Sequence, residues 1–184
     1  MSAAEAFTVP APREIHDAVM DDGAVIRLRR HGNPSGPLLI LAHGNGFAID
    51  GYYPFWRNLA EAYDLVVYDQ RNHGWNPRHE IARHDLPSFV TDLDRLLDVI
   101  PERFGAKPMV GVFHSISAIT AIWHALDRGW RWDGLALFDP PLIPGLGHAL
   151  RDDAMRFELG LSEWAAARPE HFPDFAILAA AFAA

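Results

Sequence analysis

Four strand-like segments, 37–42, 64–69, 108–113 and 134–138, alternate with segments of helical pattern, and this alternation constrains the fold more than any other feature of the chain. Residues 37–42 (Pro-Leu-Leu-Ile-Leu-Ala) and 64–69 (Asp-Leu-Val-Val-Tyr-Asp) carry apolar side chains at consecutive positions. A strand covered on only one face would alternate, so these two are expected in the middle of a sheet buried on both faces. Segment 87–104 is the best-marked helix. Leu86 and Pro87 open it, Phe89, Val90, Leu93, Leu96, Leu97 and Ile100 recur at three-to-four spacing, and Gly105 closes it. Helices are also expected over 52–62 and over 116–128, the latter ended by Gly129. Before this series, strands 15–20 and 24–30 flank the turn Asp21-Asp22-Gly23. The whole predicts an α/β fold: a central, mostly parallel sheet with helices on both faces, entered through a hairpin.

Composition narrows the classes of function. Apolar residues make up 49% of the 184 and charged residues 22%, which suits a globular domain with a core of its own. A net charge of −8 favours neither a phosphate backbone nor an anionic membrane surface, so no nucleic-acid partner is expected. The chain has no cysteine, which excludes disulfides, thiolate metal sites and a cysteine nucleophile. Residues 1–15 lack the apolar stretch of a secretory signal, and no apolar run is long enough to span a bilayer. A cytoplasmic protein is the expectation.

Three segments carry chemistry. In Gly111-Val112-Phe113-His114-Ser115-Ile116-Ser117-Ala118 a strand runs directly into a helix with a serine at the joint. Such a joint demands a tight turn that lifts the hydroxyl above the sheet edge and aims the helix N-terminus at the same point. Ser115 there is placed to attack a carbonyl, with the Ile116 N–H placed for the oxyanion. The bland alternative is a serine that caps the helix. In His43-Gly44-Asn45-Gly46-Phe47, after strand 37–42, two glycines let the backbone turn with N–H groups exposed, and the Asn45 N–H is the second oxyanion donor expected. Asp69-Gln70-Arg71-Asn72-His73-Gly74 is a polar loop at the same C-terminal sheet edge, where open α/β sheets collect ligands.

These three motifs, in this order and at these intervals, resemble the α/β-hydrolase superfamily, on its esterase, lipase and C–C hydrolase branch. The likeness runs from about Ile15 to Pro141. It implies a serine hydrolase acting on a carboxylic ester or related acyl bond, with no metal or organic cofactor, while the apolar composition of the cap region favours a small to medium apolar substrate. Phe47 and His114 would line the substrate pocket. Dehalogenases and epoxide hydrolases share the His-Gly-Asn segment, but in that family they use Asp at the joint. Two departures stand out. Phe113 and Ser117 occupy the glycine positions of the family's Gly-x-Ser-x-Gly turn, and Phe113 is bulky where helix and strand approach closely. The family also supplies its catalytic histidine, and usually its acid, from strands beyond a helical cap. The base is therefore expected beyond Ala184, and Asp139, at the end of strand 134–138, is a candidate acid whose alternative is a turn residue before Pro140-Pro141. None of the ten histidines follows a late strand, and His43, His73 and His114 read as structural.

The resulting organisation is a leader over 1–14, a core over 15–143 and a helical cap region over 144–184. Phe175 to Ala184 contain no polar side chain, so this end is expected to be cut or to be covered by something the sequence lacks. Strand 134–138 would be an unprotected edge, for which a homo-oligomer or a complementing chain is the expected partner. Trp164, Phe157, Leu159 and Leu161 either line an acyl pocket under the cap or pack in its core; Trp56, Trp75, Trp123, Trp130 and Trp132 read as packing residues. The second reading of function is a non-catalytic binding protein of the same fold, or a fragment that works only with a complementing chain.

Overall fold

A computed structural model describes residues 8–141. The cap region 144–184, with Trp164 and its neighbours, and the first half of the leader lie outside the described residues. Within them the elements are β1 (Glu14–Val19), β2 (Val25–Gly32), β3 (Leu38–Ala42), α1 (Tyr53–Trp56), β4 (Asp64–Tyr68), α2 (Leu86–Phe104), β5 (Met109–His114), α3 (Ile116–Arg128) and β6 (Gly134–Phe138). They form one six-stranded sheet in the order β1-β2-β4-β3-β5-β6. β1 and β2 are antiparallel to their neighbours; β3, β4, β5 and β6 run parallel.

The unbroken apolar runs have the expected cause. Leu38, Ile40 and Ala42 of β3, with Val66 and Tyr68 of β4, face α2 and α3 and meet Leu93, Leu96, Leu97, Ile100, Ala118 and Ala121. Leu39, Leu41, Leu65 and Val67 point the other way, onto Ile49 and Trp56. Both faces are covered, so neither parity of the strand can be polar. Helix α2 starts where its sequence says: Asp85 caps it by accepting the Ser88 N–H at 2.9 Å, and Pro87 occupies the first turn. At its far end the sole lysine of the chain, Lys107, reaches Asp64 at 2.7 Å, and Arg30 forks onto the same carboxylate at 2.8 and 2.7 Å. That cluster fastens the start of β4 to β2 and to the α2–β5 connection.

Two expectations fail. The helix expected over 52–62 is only the four residues of α1, preceded by a 3₁₀ turn over Ile49–Tyr52. The Asn58 side chain takes the carbonyls of Pro54 and Phe55, at 2.9 and 3.2 Å, that a longer helix would need for its backbone. The chain continues in turns, with the Leu59 N–H bonded to Trp56 O three residues back. Among the tryptophans, Trp56 and Trp132 are buried, but Trp75, Trp123 and Trp130 are 42%, 45% and 64% exposed and are not core residues. Among the described residues no helix is long and apolar enough to cross a membrane.

The register fixes where the chemistry can be. Ala42 lies opposite both Tyr68 and Phe113, and His114 lies opposite Phe138. His43, Asp69, Ser115 and Asp139, each the first residue after its strand, therefore share one edge of the sheet.

Candidate active site

Ser115 is the single residue between β5 and α3, and it holds φ 52° and ψ −116°. A side chain in this region costs about 1–3 kcal/mol and persists only where its surroundings enforce it. Here β6 does so: the Ser115 N–H donates to Phe138 O at 2.8 Å, which extends the β5–β6 ladder into the joint. The helix-cap alternative does not hold, since the Ser115 side chain makes no capping hydrogen bond. Its Oγ has no hydrogen-bond partner among the described residues. Ile116 begins α3, so its N–H has no intrahelical acceptor.

The bulky Phe113 fits because of Gly111. Two residues earlier on the same strand face, a Cβ at Gly111 would come within 2.4 Å of the Phe113 ring and 2.6 Å of Leu135. The ring fills that space and meets Trp132 edge-on at 5.3 Å. Ser117, at the other glycine position, is buried and useful: its hydroxyl donates to His43 O and accepts from Gln70 Nε2 at 2.9 Å. It ties the first turn of α3 to both neighbouring loops.

Gly44 lies hard against the serine. A Cβ there would stand 2.7 Å from His114 Nδ1 and 3.1 Å from Ser115 Cβ. Its N–H donates to the Tyr52 hydroxyl at 3.1 Å, and that hydroxyl lies 2.6 Å from His114 Nδ1. The Tyr52 hydroxyl thus joins the Gly44 backbone to the His114 ring. Asn45 is half-buried, and its N–H has no partner among the described residues. Phe47 is 59% exposed, with its ring edge-on to Tyr52 at 6.2 Å. A cavity of about 230 Å³, lined almost wholly by apolar atoms, opens beside the joint between Tyr52 and Phe55 on one side and Val112, His114 and Phe138 on the other.

The loop after β4 braces this arrangement. One oxygen of the buried Asp69 accepts the Ile49 N–H at 2.7 Å; the other accepts the Trp75 N–H and Arg29, both at 3.1 Å. Arg29, fully buried, also binds Asp50 at 2.6 Å and lies under the Trp75 ring at 4.4 Å. Gly74 must be glycine, since a Cβ would meet the Asp69 carboxyl at 2.2 Å and its φ is +50°. Arg71 forks onto the buried Asp92 of α2 at 2.7 and 2.6 Å, which anchors the loop to the helix layer.

Of the candidate bases, His43 is completely buried and accepts the Gln70 N–H on Nε2 at 3.0 Å. Burial pushes its pKa down to about 4, against opposing pulls from Gly44 O and Asp69. With both nitrogens engaged it takes no proton from Ser115. His73 is similarly engaged, by Gly46 and Arg71. Asp139 is exposed at φ 47°, next to the Phe138 carbonyl that binds Ser115, and makes no hydrogen bond or ion pair among the described residues. Sequence reasoning missed Tyr52, Ser117, Arg29 and Asp50; a serine in a glycine position was the one local signal, and the others act across the fold.

Comparison with known proteins places the chain in a family. Residues 33–177 match the family described as serine aminopeptidase, S33. Epoxide hydrolase A of Mycobacterium tuberculosis is 34% identical over 130 residues, covering 67% of this chain and 38% of its own length. Among solved structures, the epoxide hydrolase VrEH1 from Vigna radiata superposes with a TM-score of 0.61 at 21% identity, over 78% of this chain and 45% of that one. The esterase RhEst1 from Rhodococcus sp. ECU1013 superposes with a TM-score of 0.58 at 25% identity, over 67% and 44%. The chain thus spans about two fifths of the length of this Mycobacterium relative.

Proposed function

This chain belongs to the α/β-hydrolase superfamily, in the serine aminopeptidase S33 family, and on that premise we propose that it carries the nucleophile and oxyanion half of a serine hydrolase for esters or related acyl bonds. Ser115 Oγ attacks the acyl carbon, and the N–H groups of Asn45 and Ile116 receive the oxyanion. A histidine outside residues 8–141 takes the serine proton, oriented by Asp139 or by an acid also outside them. The observation that carries the reading is Ser115 itself: a strained residue at φ 52°, held by Phe138 O, with its hydroxyl unpaired among the described residues and with glycine backbone packed against it.

The similar proteins named epoxide hydrolases raise a second chemistry, and a serine at the joint argues against it. Serine attack on an epoxide carbon would leave an ether, which water and a general base do not cleave at a useful rate. Attack on an acyl carbon leaves an ester, which the same base can hydrolyse. Epoxide opening with turnover calls for a carboxylate at the joint, and this chain has a serine. The apolar lining of the cavity beside the joint supports an uncharged acyl or alkyl group as the part of the substrate bound there.

The test is a panel of esters of increasing aliphatic length, offered to the full-length protein beside short esters of charged acids. The expected result is kcat/KM rising by roughly 10-fold or more for each one or two added methylenes until the cavity is full. A preference for the charged acids, or turnover of epoxides in place of esters, would overturn the reading. The binding-protein alternative is favoured by one observation, the engagement of both ring nitrogens of His43 and His73. It predicts tight binding of the same apolar compounds without turnover.

A further inference from the structure

We infer that His43 and His73 lace the two loops beside Ser115 together, and that His73 is a positioning residue that works only as its neutral Nδ1–H tautomer. The functional meaning of the lace rests on the oxyanion role proposed for Asn45. The loops after β3 and β4 each send a backbone N–H to the other's imidazole: Gln70 N–H to His43 Nε2 at 3.0 Å, and Gly46 N–H to His73 Nε2 at 3.2 Å. A ring nitrogen that accepts an N–H carries no proton, so in both rings the proton sits on Nδ1. Each Nδ1 has a carbonyl to donate to, Gly44 O at 2.7 Å for His43 and Arg71 O at 3.0 Å for His73. The rings lie 4.9 Å apart.

The consequence is selection of one donor. In the turn 44–47, the Gly44 N–H is used by Tyr52, the Gly46 N–H by His73, and the Phe47 N–H by Gly44 O. Only the Asn45 N–H is left without a partner among the described residues. Its aim is set by the residues on either side, and Gly46 is held by His73. A neutral imidazole suits this task because it presents one acceptor on a rigid ring. Protonation turns that acceptor into a donor facing the Gly46 N–H, so the bond is lost and the turn is released. The groups around His73 are Asp69 and Arg71 on its own loop, His43 across the lace with Arg29 behind it, and His84 at 5.2 Å with Asp85 from the segment before α2. Burial holds His73 below the usual histidine range, opposed by the Arg71 carbonyl and by Asp69.

The experiment has two parts on the full chain. Nitrogen-15 NMR of the imidazoles reports the tautomers, and the Gly46 amide shift is followed against pH. Labelling of Ser115 by a fluorophosphonate is then timed in the wild type, His73→Phe and His73→Gln. Phe keeps a ring without the acceptor; Gln keeps an acceptor that does not titrate. The lace predicts His73 as the Nδ1–H tautomer, a Gly46 amide that moves in step with its protonation, labelling at least about 10-fold slower in His73→Phe, and partial recovery in His73→Gln with a flattened acid limb. An Nε2–H tautomer, a Gly46 amide indifferent to His73, or unchanged labelling in His73→Phe would overturn it. Should His73→Phe not fold, the wild-type tautomer and the His73→Gln pH profile still decide. A wild type that never labels refutes the serine reading alone, while the NMR continues to judge the lace.

Discussion

The two sides of the Ser115 joint differ sharply in how much of their polar surface is satisfied. On the side of the loops after β3 and β4, His43, Gly44, Gly46, Phe47, Asp69, Gln70 and Trp75 are held by named partners, and Asn45 in their midst has an N–H without a partner among the described residues. On the side of β6, Ser115 Oγ and Asp139 have no partner at all among the described residues. On the proposed function, the difference separates two catalytic tasks. Oxyanion stabilisation needs donors fixed in advance, because reorganisation during the reaction would consume the benefit. Proton transfer needs a base and its orienting acid. On the function proposed above, residues 8–141 would supply a preorganised setting for the first and leave the second to groups outside them.

The largest effect that would break this comparison comes from Arg29. It is fully buried and binds both Asp50 and Asp69, so Arg29→Met strands the buried Asp69 charge. We expect a loss of about 3–5 kcal/mol in denaturant unfolding. A loss under 1 kcal/mol would mean that the braced side is not braced by this pair. Next comes Gly44→Ala, whose Cβ would press on His114 Nδ1 at 2.7 Å and Ser115 Cβ at 3.1 Å. The turn proposed to hold the oxyanion must shift, and labelling of Ser115 should slow by about 10²-fold with little change in stability. Unchanged labelling would show that the turn's position is irrelevant to the serine.

The most gradual effect is on pH. Burial lowers His31 and His43 to about 4, and lowers His73 and His84 as well. Below pH 6.5 the unfolded chain, with ordinary histidines, takes up protons that the folded chain refuses, so unfolding is favoured progressively. Thermal midpoints should be level in these histidines' contribution above pH 6.5 and fall as the pH drops toward about 4. A midpoint that rose on acidification would show that these imidazoles are charged in the fold.

Much of this was legible in the sequence, and the reasons are local. Consecutive apolar residues at 38–42 and 65–67 forced a sheet covered on both faces, and parallel strands placed His43, Asp69, Ser115 and Asp139 at one edge. A serine between strand and helix announced the joint. What was not legible depends on distant pairs. That Phe113 is tolerated follows from the space left by Gly111, a relation of two residues that the strand period could have suggested. The short α1, by contrast, reflects Asn58 capturing helix carbonyls, a competition that apolar spacing does not report. Tyr52 bonding His114 across 62 positions leaves no trace in either neighbourhood.

The central claim, that Ser115 stands in a preformed acyl-transfer site, is tested most directly by the intact mass of the full-length protein before and after a fluorophosphonate probe, beside its Ser115→Ala variant. The account predicts one adduct, on Ser115, and none in the variant. A folded wild type that takes no adduct, or one that carries it elsewhere and keeps it in Ser115→Ala, would contradict it.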